Sequence, residues 1–319
     1  MYTLFKNMLN ISPAKKGAIL AITGSILWGI MGVTSQYLLQ IKGLPALWVV
    51  TIRMFFAGIV LLLADYCIYK RDFFAPWRDK KTIVHMLIFS FVTIMWVQYA
   101  YLSAVEHMNA AMATVFVSLA PIATIVWMSL RSWCIPKFHE LLCCISAVLG
   151  ATVMATHGDM TTLSISQEGI IYGIMLPIAG VVYTVQPGYL MKNFRPSNVT
   201  GWGLLLGGTA LLPIIQPWHI PGAVDMDAFT IFNIVYTVLF GTAIAFWTFL
   251  ASLKYIKPQI AAIYELVEPV SAIFLSVWLL EVMYQLPEFL GTVMILCPVL
   301  YLSLIKESHN IMRLLRKKL

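Results

Sequence analysis

Ten long apolar runs, at 17–38, 44–68, 82–104, 109–130, 140–157, 168–190, 198–216, 228–253, 258–280 and 286–305, fill nearly all of this chain and leave it few ways to fold. A helix crosses a hydrocarbon core of roughly 30 Å with about 20 apolar residues. Hydrocarbon offers no hydrogen bonds, so the backbone must satisfy itself within helices or a closed barrel, and runs of this length are helical. Composition agrees: 60% of the 319 residues are hydrophobic and 11% charged, against about 25% charged in soluble domains. The expected fold is an all-α integral membrane protein with ten transmembrane helices, and the lipid bilayer is its first partner.

Basic residues divide unevenly between alternate loops. Nineteen of the 21 lysines and arginines precede the first run, follow the tenth, or lie after the second, fourth, sixth and eighth; the exceptions are Lys42 and Arg53. By the positive-inside rule this places both termini in the cytoplasm, with the plasma membrane as the expected location. The net charge of +7 therefore reports topology and not a nucleic-acid partner. Cys67, Cys134, Cys143, Cys144 and Cys297 lack metal-ligand spacing and read as small hydrophobes, so no metal or other cofactor is expected. The first run lacks a cleavage signal and should be retained. Sequons at Asn10 and Asn198 fall on the cytoplasmic side and should stay unmodified.

The ninth run, PQIAAIYELVEPVSAIFLSVWLLE over Pro258 to Glu281, carries acids where they are costly. At about 1.5 Å per residue Glu268 lies near the midplane, where a charge costs roughly 2.5 to 3.5 kcal/mol and so faces the bundle interior. Tyr264, Glu265 and Glu268 share one helical face. Arg53 is the one basic residue deep in a run, and the deep acids are its expected partners, either as a static pair or in competition with a substrate or proton. Trp28, Trp96, Tyr99, Tyr101, Tyr183, Trp247 and Tyr264 lie within runs and not at their ends. Gln98 with Tyr101, and Tyr183 with Gln186, each pair an amide and a phenol on one face suited to an amphipathic solute. Small residues at Gly17, Ala21, Ser25 and Gly29, and at Ala147, Ala151 and Ala155, form close-packing stripes.

An offset of 148 aligns Pro121 with Pro269, Tyr99 with Trp247, Tyr101 with Phe249, Ala104 with Ser252 and Ala113 with Ala261. Pro121 and Pro269 are expected helix kinks. Five runs per half is odd, so the copies have opposite orientation: an inverted repeat, with its site near the midplane. The expected division is a cytoplasmic segment 1–16, a first five-helix repeat 17–157, a second 168–305, and a basic tail 306–319.

Trp28-Gly29, Arg53, the stretch Tyr99–Ala111 leading to Pro121, Ala179–Pro187, and Glu268-Pro269 ending at Leu280-Glu281 together resemble the EamA family of the drug/metabolite transporter superfamily. The resemblance implies ten spans in two inverted repeats and export of a small metabolite. One departure is Gly180-Val181, where relatives often carry tryptophan and alanine, which leaves Tyr183 to supply the aromatic contact of the sixth span. No nucleotide-binding G-x-x-x-x-G-K-[ST] loop occurs, so ATP is not an expected partner, and His139-Glu140 lacks the second histidine of a metalloprotease helix. The expected function is non-enzymatic: a secondary transporter or facilitator exporting a small polar or amphipathic, amino-acid-like metabolite by alternating access, with protons as a candidate coupling ion. The competing expectations are proton-coupled drug or cation efflux and, more distantly, a membrane-embedded enzyme. Reporter fusions at the C-terminus and beside Asp225 should report opposite sides of the membrane; agreement between them would overturn the ten-span reading.

Overall fold

The computed structural model describes residues 12–70, 72–133, 138–156, 165–219, 224–256 and 258–316. Asn10 of the first sequon, most of the segment 1–16, Cys134 and residues 317–319 lie outside them. All ten apolar runs are helical, and no strand occurs among the described residues. The helices are α1 (Pro13–Ile41), α2 (Ala46–Tyr69) and α3 (Lys80–His107), then α4 in two pieces (Ala110–Val117 and Ala120–Ser132) and α5 (Phe138–Thr156). The second half has α6 (Gln167–Asn193), α7 (Pro196–Ile215) and α8 (Ala228–Ser252), α9 in two pieces (Pro258–Glu265 and Val267–Leu280), and α10 (Leu286–Arg316). Six of them, α1, α2, α3, α6, α7 and α8, are long and apolar enough to cross a membrane, α6 with a turn at Gln186-Pro187 between Gln167–Val185 and Gly188–Asn193. The breaks in α4 and α9 divide each of those spans into two shorter pieces. α10 continues as helix to Arg316, past the expected repeat boundary at 305.

Local chemistry repeats at the same offset as the sequence. Asp79 caps α3 by accepting from Thr82 N at 3.1 Å, and Asp227 caps α8 by accepting from Thr230 N at 2.7 Å; both capping residues and both partners stand 148 apart. The left-handed residues that end α4 and α9, Trp133 at φ 50° and Glu281 at φ 52°, are also 148 apart. α3 and α8 each widen into a π-helical segment, Ile88–Ile94 and Leu239–Ile244. Wide turns of this kind free carbonyls and re-aim side chains, and they concentrate at functional sites.

Packing follows the same rule. α2 packs along α7, and α5 along α10; α1 lies against α8 and α9, as α6 lies against α3 and α4. Adding five to each helix number maps every one of these contacts onto another or onto itself, as a two-fold axis between inverted halves requires. Glycines set the closest approach: a Cβ on Gly208 would stand 2.5 Å from Phe55 N, and one on Gly29 would stand 2.9 Å from the Glu268 carbonyl. Ala21 and Ser25 are fully buried, so the small-residue stripe of α1 packs α1 against α8 and α9 as expected.

The two ends of the bundle are tied differently. On one face, the start of α1 meets the turn after α8, with Lys16 Nζ 5.0 Å over the Tyr255 ring. On that face Arg195, at the start of α7, donates to Asp65 of α2 at 2.6 and 2.9 Å, and Ser197 and Asn198 donate to the same carboxylate. This is the basic face of the sequence. On the opposite face Lys42 meets Asp227 at 2.8 Å, and Gln40 donates to the carbonyls of Val105 and Met108 at 2.8 and 3.0 Å. Asn198 and Thr200 are buried, so the second sequon is closed to modification whatever the orientation. Asp65→Asn should lower stability by about 1 to 3 kcal/mol, because it removes the buried charge that answers the partly exposed Arg195 guanidinium. Thermal melts in detergent should show an Asp65→Ala/Arg195→Met double variant losing less than the sum of the two single changes.

Candidate functional site

Arg53 of α2 is 1% exposed and reaches Met31 of α1 and Gln98 of α3. Its guanidinium carries five N–H donors and wants a carboxylate or several carbonyls. Among the described residues it finds neither: Nη2 donates to Gln98 Oε1, Nη1 to Met31 Sδ at 3.0 Å, and Nε is buried without a partner. The expected ion pair with Glu265 or Glu268 is not formed. Gln98 lies on α3, which packs directly on α2, whereas the acids lie on α9, whose main contacts are α1, α4 and α10; the amide is the nearer acceptor. A thioether is a weak one.

In the bundle interior several unused hydrogen-bonding atoms are donors. Trp28 Nε1, Gln98 Nε2, and the hydroxyls of Tyr101 and Tyr183 are all buried and unpartnered among the described residues. Gln98 is held because its Oε1 is taken by Arg53, which turns its NH2 group away from the guanidinium. Tyr101 reaches α1 through a gap that only glycine leaves, since a Cβ on Gly32 would stand 2.6 Å from the phenol oxygen. Trp28 is wedged between Phe246 and Phe249, both at 5.0 Å, and Phe246 meets Tyr183 edge-on at 6.0 Å. Contacts of this geometry contribute about 0.5 to 1.5 kcal/mol each beyond burial and hold the polar tips in place.

Glu265 and Glu268 face the same region from α9. Glu268 is 5% exposed and meets no cation among the described residues; its main-chain carbonyl is taken by Ser271 Oγ at 2.8 Å. The groups form a line of charge. Arg53 interacts electrostatically with Tyr101, Tyr101 with both Arg53 and Glu268, Glu268 with Glu265, and Glu265 with Tyr183. A cation thus stands at one end and two carboxylates at the other, with a phenol between them. Glu268 opens the second piece of α9, one residue past the break and beside Pro269, and the Pro121 break in α4 stands opposite in the repeat. Both prolines sit in the first turn of a helical piece, where a missing N–H costs little, so each marks a break and not a bend within a continuous rod.

Seven of the expected residues therefore come together: Trp28, Arg53, Gln98, Tyr101, Tyr183, Glu265 and Glu268. Trp247 and Tyr264 are half-buried and packed against the core, and neither has a ring or hydrogen-bond partner in the cluster among the described residues. Gln186 also leaves it, because its amide donates to the His85 carbonyl at 2.9 Å and ties α6 to α3. Tyr99 bonds Tyr172 at 3.1 Å, on the α6 side. Met31, Phe246 and Phe249 were missed. The repeat held a signal for two of them, since Gln98 and Tyr101 stand 148 residues before Phe246 and Phe249.

Known proteins align with this chain over almost its whole length. The sequence model described as the EamA-like transporter family matches twice, over residues 15–156 and 167–304. An uncharacterized inner membrane transporter of Salmonella typhimurium, YicL, is 31% identical over 294 residues, covering 92% of this chain and 97% of its own. An uncharacterized transporter of Archaeoglobus fulgidus is 27% identical over 275 residues, covering 85% and 91%. A solved crystal structure superposes with a TM-score of 0.62 at 14% identity, over 92% of this chain and 98% of the other, and shares the fold. Replacing Arg53 by Met removes a buried charge that has no counter-ion among the described residues, so the variant should melt within a few degrees of the parent or above it while losing solute binding. A large drop in melting temperature would instead mark Arg53 as a structural strut.

Proposed function

Because the chain belongs to the EamA-like transporter family, we propose that it is a secondary transporter exporting an amino-acid-like zwitterion across the plasma membrane by alternating access. The observation that carries this reading is the buried Arg53, which meets no carboxylate among the described residues, in an interior with several donors unpartnered among those residues and with Glu265 and Glu268 meeting no cation there. A substrate carboxylate would complete the guanidinium and accept from Trp28, Gln98 and Tyr101, and a substrate ammonium would sit against Glu268 and Glu265. Each missing partner costs the empty site free energy, because a buried charge or donor without a bond is expensive. Binding the solute recovers that cost. The rings of Trp28, Phe246 and Phe249 supply an apolar wall for the solute's side chain.

A purely cationic drug fits this site less well, because it would leave the guanidinium unpaired and be repelled by it. The inverted pairing of helices supports alternating access, since the largest helix contacts of one half have counterparts in the other. The outward direction rests on the family resemblance, as does the assignment of the basic face to the cytoplasm on the charge bias of the loops. Comparing metabolites in the medium of cells with and without the protein should reveal an accumulated amino acid or close analogue.

Glu268→Gln keeps size and hydrogen-bonding capacity but removes the charge, and it should impair transport in reconstituted vesicles while leaving the protein folded. If the carboxylate binds the ammonium, apparent affinity falls roughly tenfold or more and the response to an imposed pH gradient is unchanged. If it carries a proton, the gradient response is lost instead. Unchanged rate, affinity and gradient response would reduce Glu268 to part of the helix break.

A further inference from the structure

A cavity of about 550 Å³ opens on the basic face, between the α2–α3 loop, the end of α6 and the end of α8. It is separate from the Arg53 line, which lies inside the bundle. Its wall carries Lys192, Arg195 and Lys254 against the single acid Asp72. Arg195 and Asp72 are already engaged, the first by Asp65 and the second by Arg78 at 2.5 Å. Lys192 and Lys254 are exposed and make no ion pair among the described residues. The free charge of the cavity is therefore positive.

A second, independent feature lies in the same wall. Asn198 is 2% exposed, and its amide nitrogen donates to Asp65 and to the Phe73 carbonyl at 3.2 Å. Its carbonyl oxygen is buried and accepts nothing among the described residues. An acceptor in that position calls for a hydroxyl or N–H donor from the occupant. Beside the cavity stands a cluster of rings, Phe73, Phe74, Trp77 and Trp202, joined by contacts of 5.0 to 5.6 Å. Tyr66, Ile68 and Phe74 point outward, each more than half exposed. Aromatic clusters at helix ends sit at headgroup depth, and free lysines at that depth attract anionic lipid.

We propose that this cavity binds the headgroup of an anionic phospholipid. The phosphodiester would lie on Lys192 and Lys254, a headgroup hydroxyl would donate to the Asn198 carbonyl oxygen, and the acyl chains would follow the exposed apolar side of α2. This site does not depend on which solute the bundle carries. A soluble hydroxylated phosphate ester offers the same polar groups, so the test must separate the two sources.

Purified protein, and a Lys192→Gln/Lys254→Gln variant, would be titrated with phosphatidylglycerol or phosphatidylcholine in detergent and the bound lipid counted by native mass spectrometry. Melting curves without added lipid control for folding, and a Lys192→Arg/Lys254→Arg variant tests rescue. The parent should retain phosphatidylglycerol over phosphatidylcholine by about tenfold or more, the glutamine variant should lose that preference, and the arginine variant should keep it. Equal retention of the two lipids, or an unchanged preference in the glutamine variant, would overturn the proposal. Displacement of the lipid by equimolar glycerol 3-phosphate would overturn it too, assigning the cavity to a soluble ester.

Discussion

Hydrocarbon cannot satisfy a backbone N–H or carbonyl, so each interruption of a transmembrane helix must be answered inside the protein. Among the described residues α4 and α9 are interrupted at equivalent points of the repeat, and the fold packs both breaks against other helices. α9 is covered by α1 and α10, α4 by α6, and the two broken helices touch each other. Glu268, in the first turn after the α9 break, is carried to the interior by the same arrangement. Proline and carboxylate are thus parts of one feature. The break makes room for the acid, and the neighbours required by the break exclude solvent from it.

Charge placement shows what separates this interior from an ordinary packed core. Were the bundle built only for stability, Arg53 would pair with a carboxylate or give way to an apolar residue of similar volume, which is often as stable or more so. Instead its bonds go to an amide and a thioether, while both acids of α9 stand apart from it. The π-helical segment of α3 lies just before Gln98 and Tyr101, and that of α8 just before Phe246 and Phe249, so both re-aim the site's own helices. Rings meet rings at 5.0 Å around Trp28, while polar tips in the same interior stay unbonded among the described residues. That division is expected of a site whose partner arrives from outside.

Much of this was legible in the sequence because lipid simplifies the code. Run lengths and the loop-by-loop charge bias mark the ten helices, and the 148-residue offset marks the repeat even in the capping pairs Asp79 with Thr82 and Asp227 with Thr230. Rotation about the helix axis was less legible. Trp247 and Tyr264 read as site residues because they are aromatic and deep, yet the residues beside Trp247, Phe246 and Phe249, are the ones that face Trp28. A π-helical turn upstream shifts the phase of everything after it, and no apolar pattern records that shift when all faces are apolar. Arg53 failed in another way: charge logic pairs a deep cation with the deepest acid, whereas helix order seats α2 beside α3 and leaves α9 behind α1. Lys192 and Lys254 read only as topology signals, because their shared cavity arises from three loops far apart in sequence.

The ties at the two faces also bear on where pH sensitivity can reside. Lys42 and Asp227 hold each other on the face opposite the basic one: the ammonium raises its pKa above the ordinary 10.5, and the carboxylate, bonded to Lys42 and capped by Thr230, drops from 3.8 to about 2. A lowered acid contributes stability that is fully present above its unfolded value and lost as pH falls toward about 2, and a raised lysine contributes below 10.5 and is lost above it. Between those limits the pair stays charged, so proton concentration near neutrality cannot open this face through it. The Asp65–Arg195 clamp at the basic face joins a carboxylate to a guanidinium, which does not titrate in the physiological range. Neither of these two pairs is therefore a proton-operated latch. Dependence of transport on pH can enter through the interior carboxylates, Glu265 and Glu268, through the solute's own amine and acid, or at the end of the bundle where His107 lies 3.9 Å from Glu106.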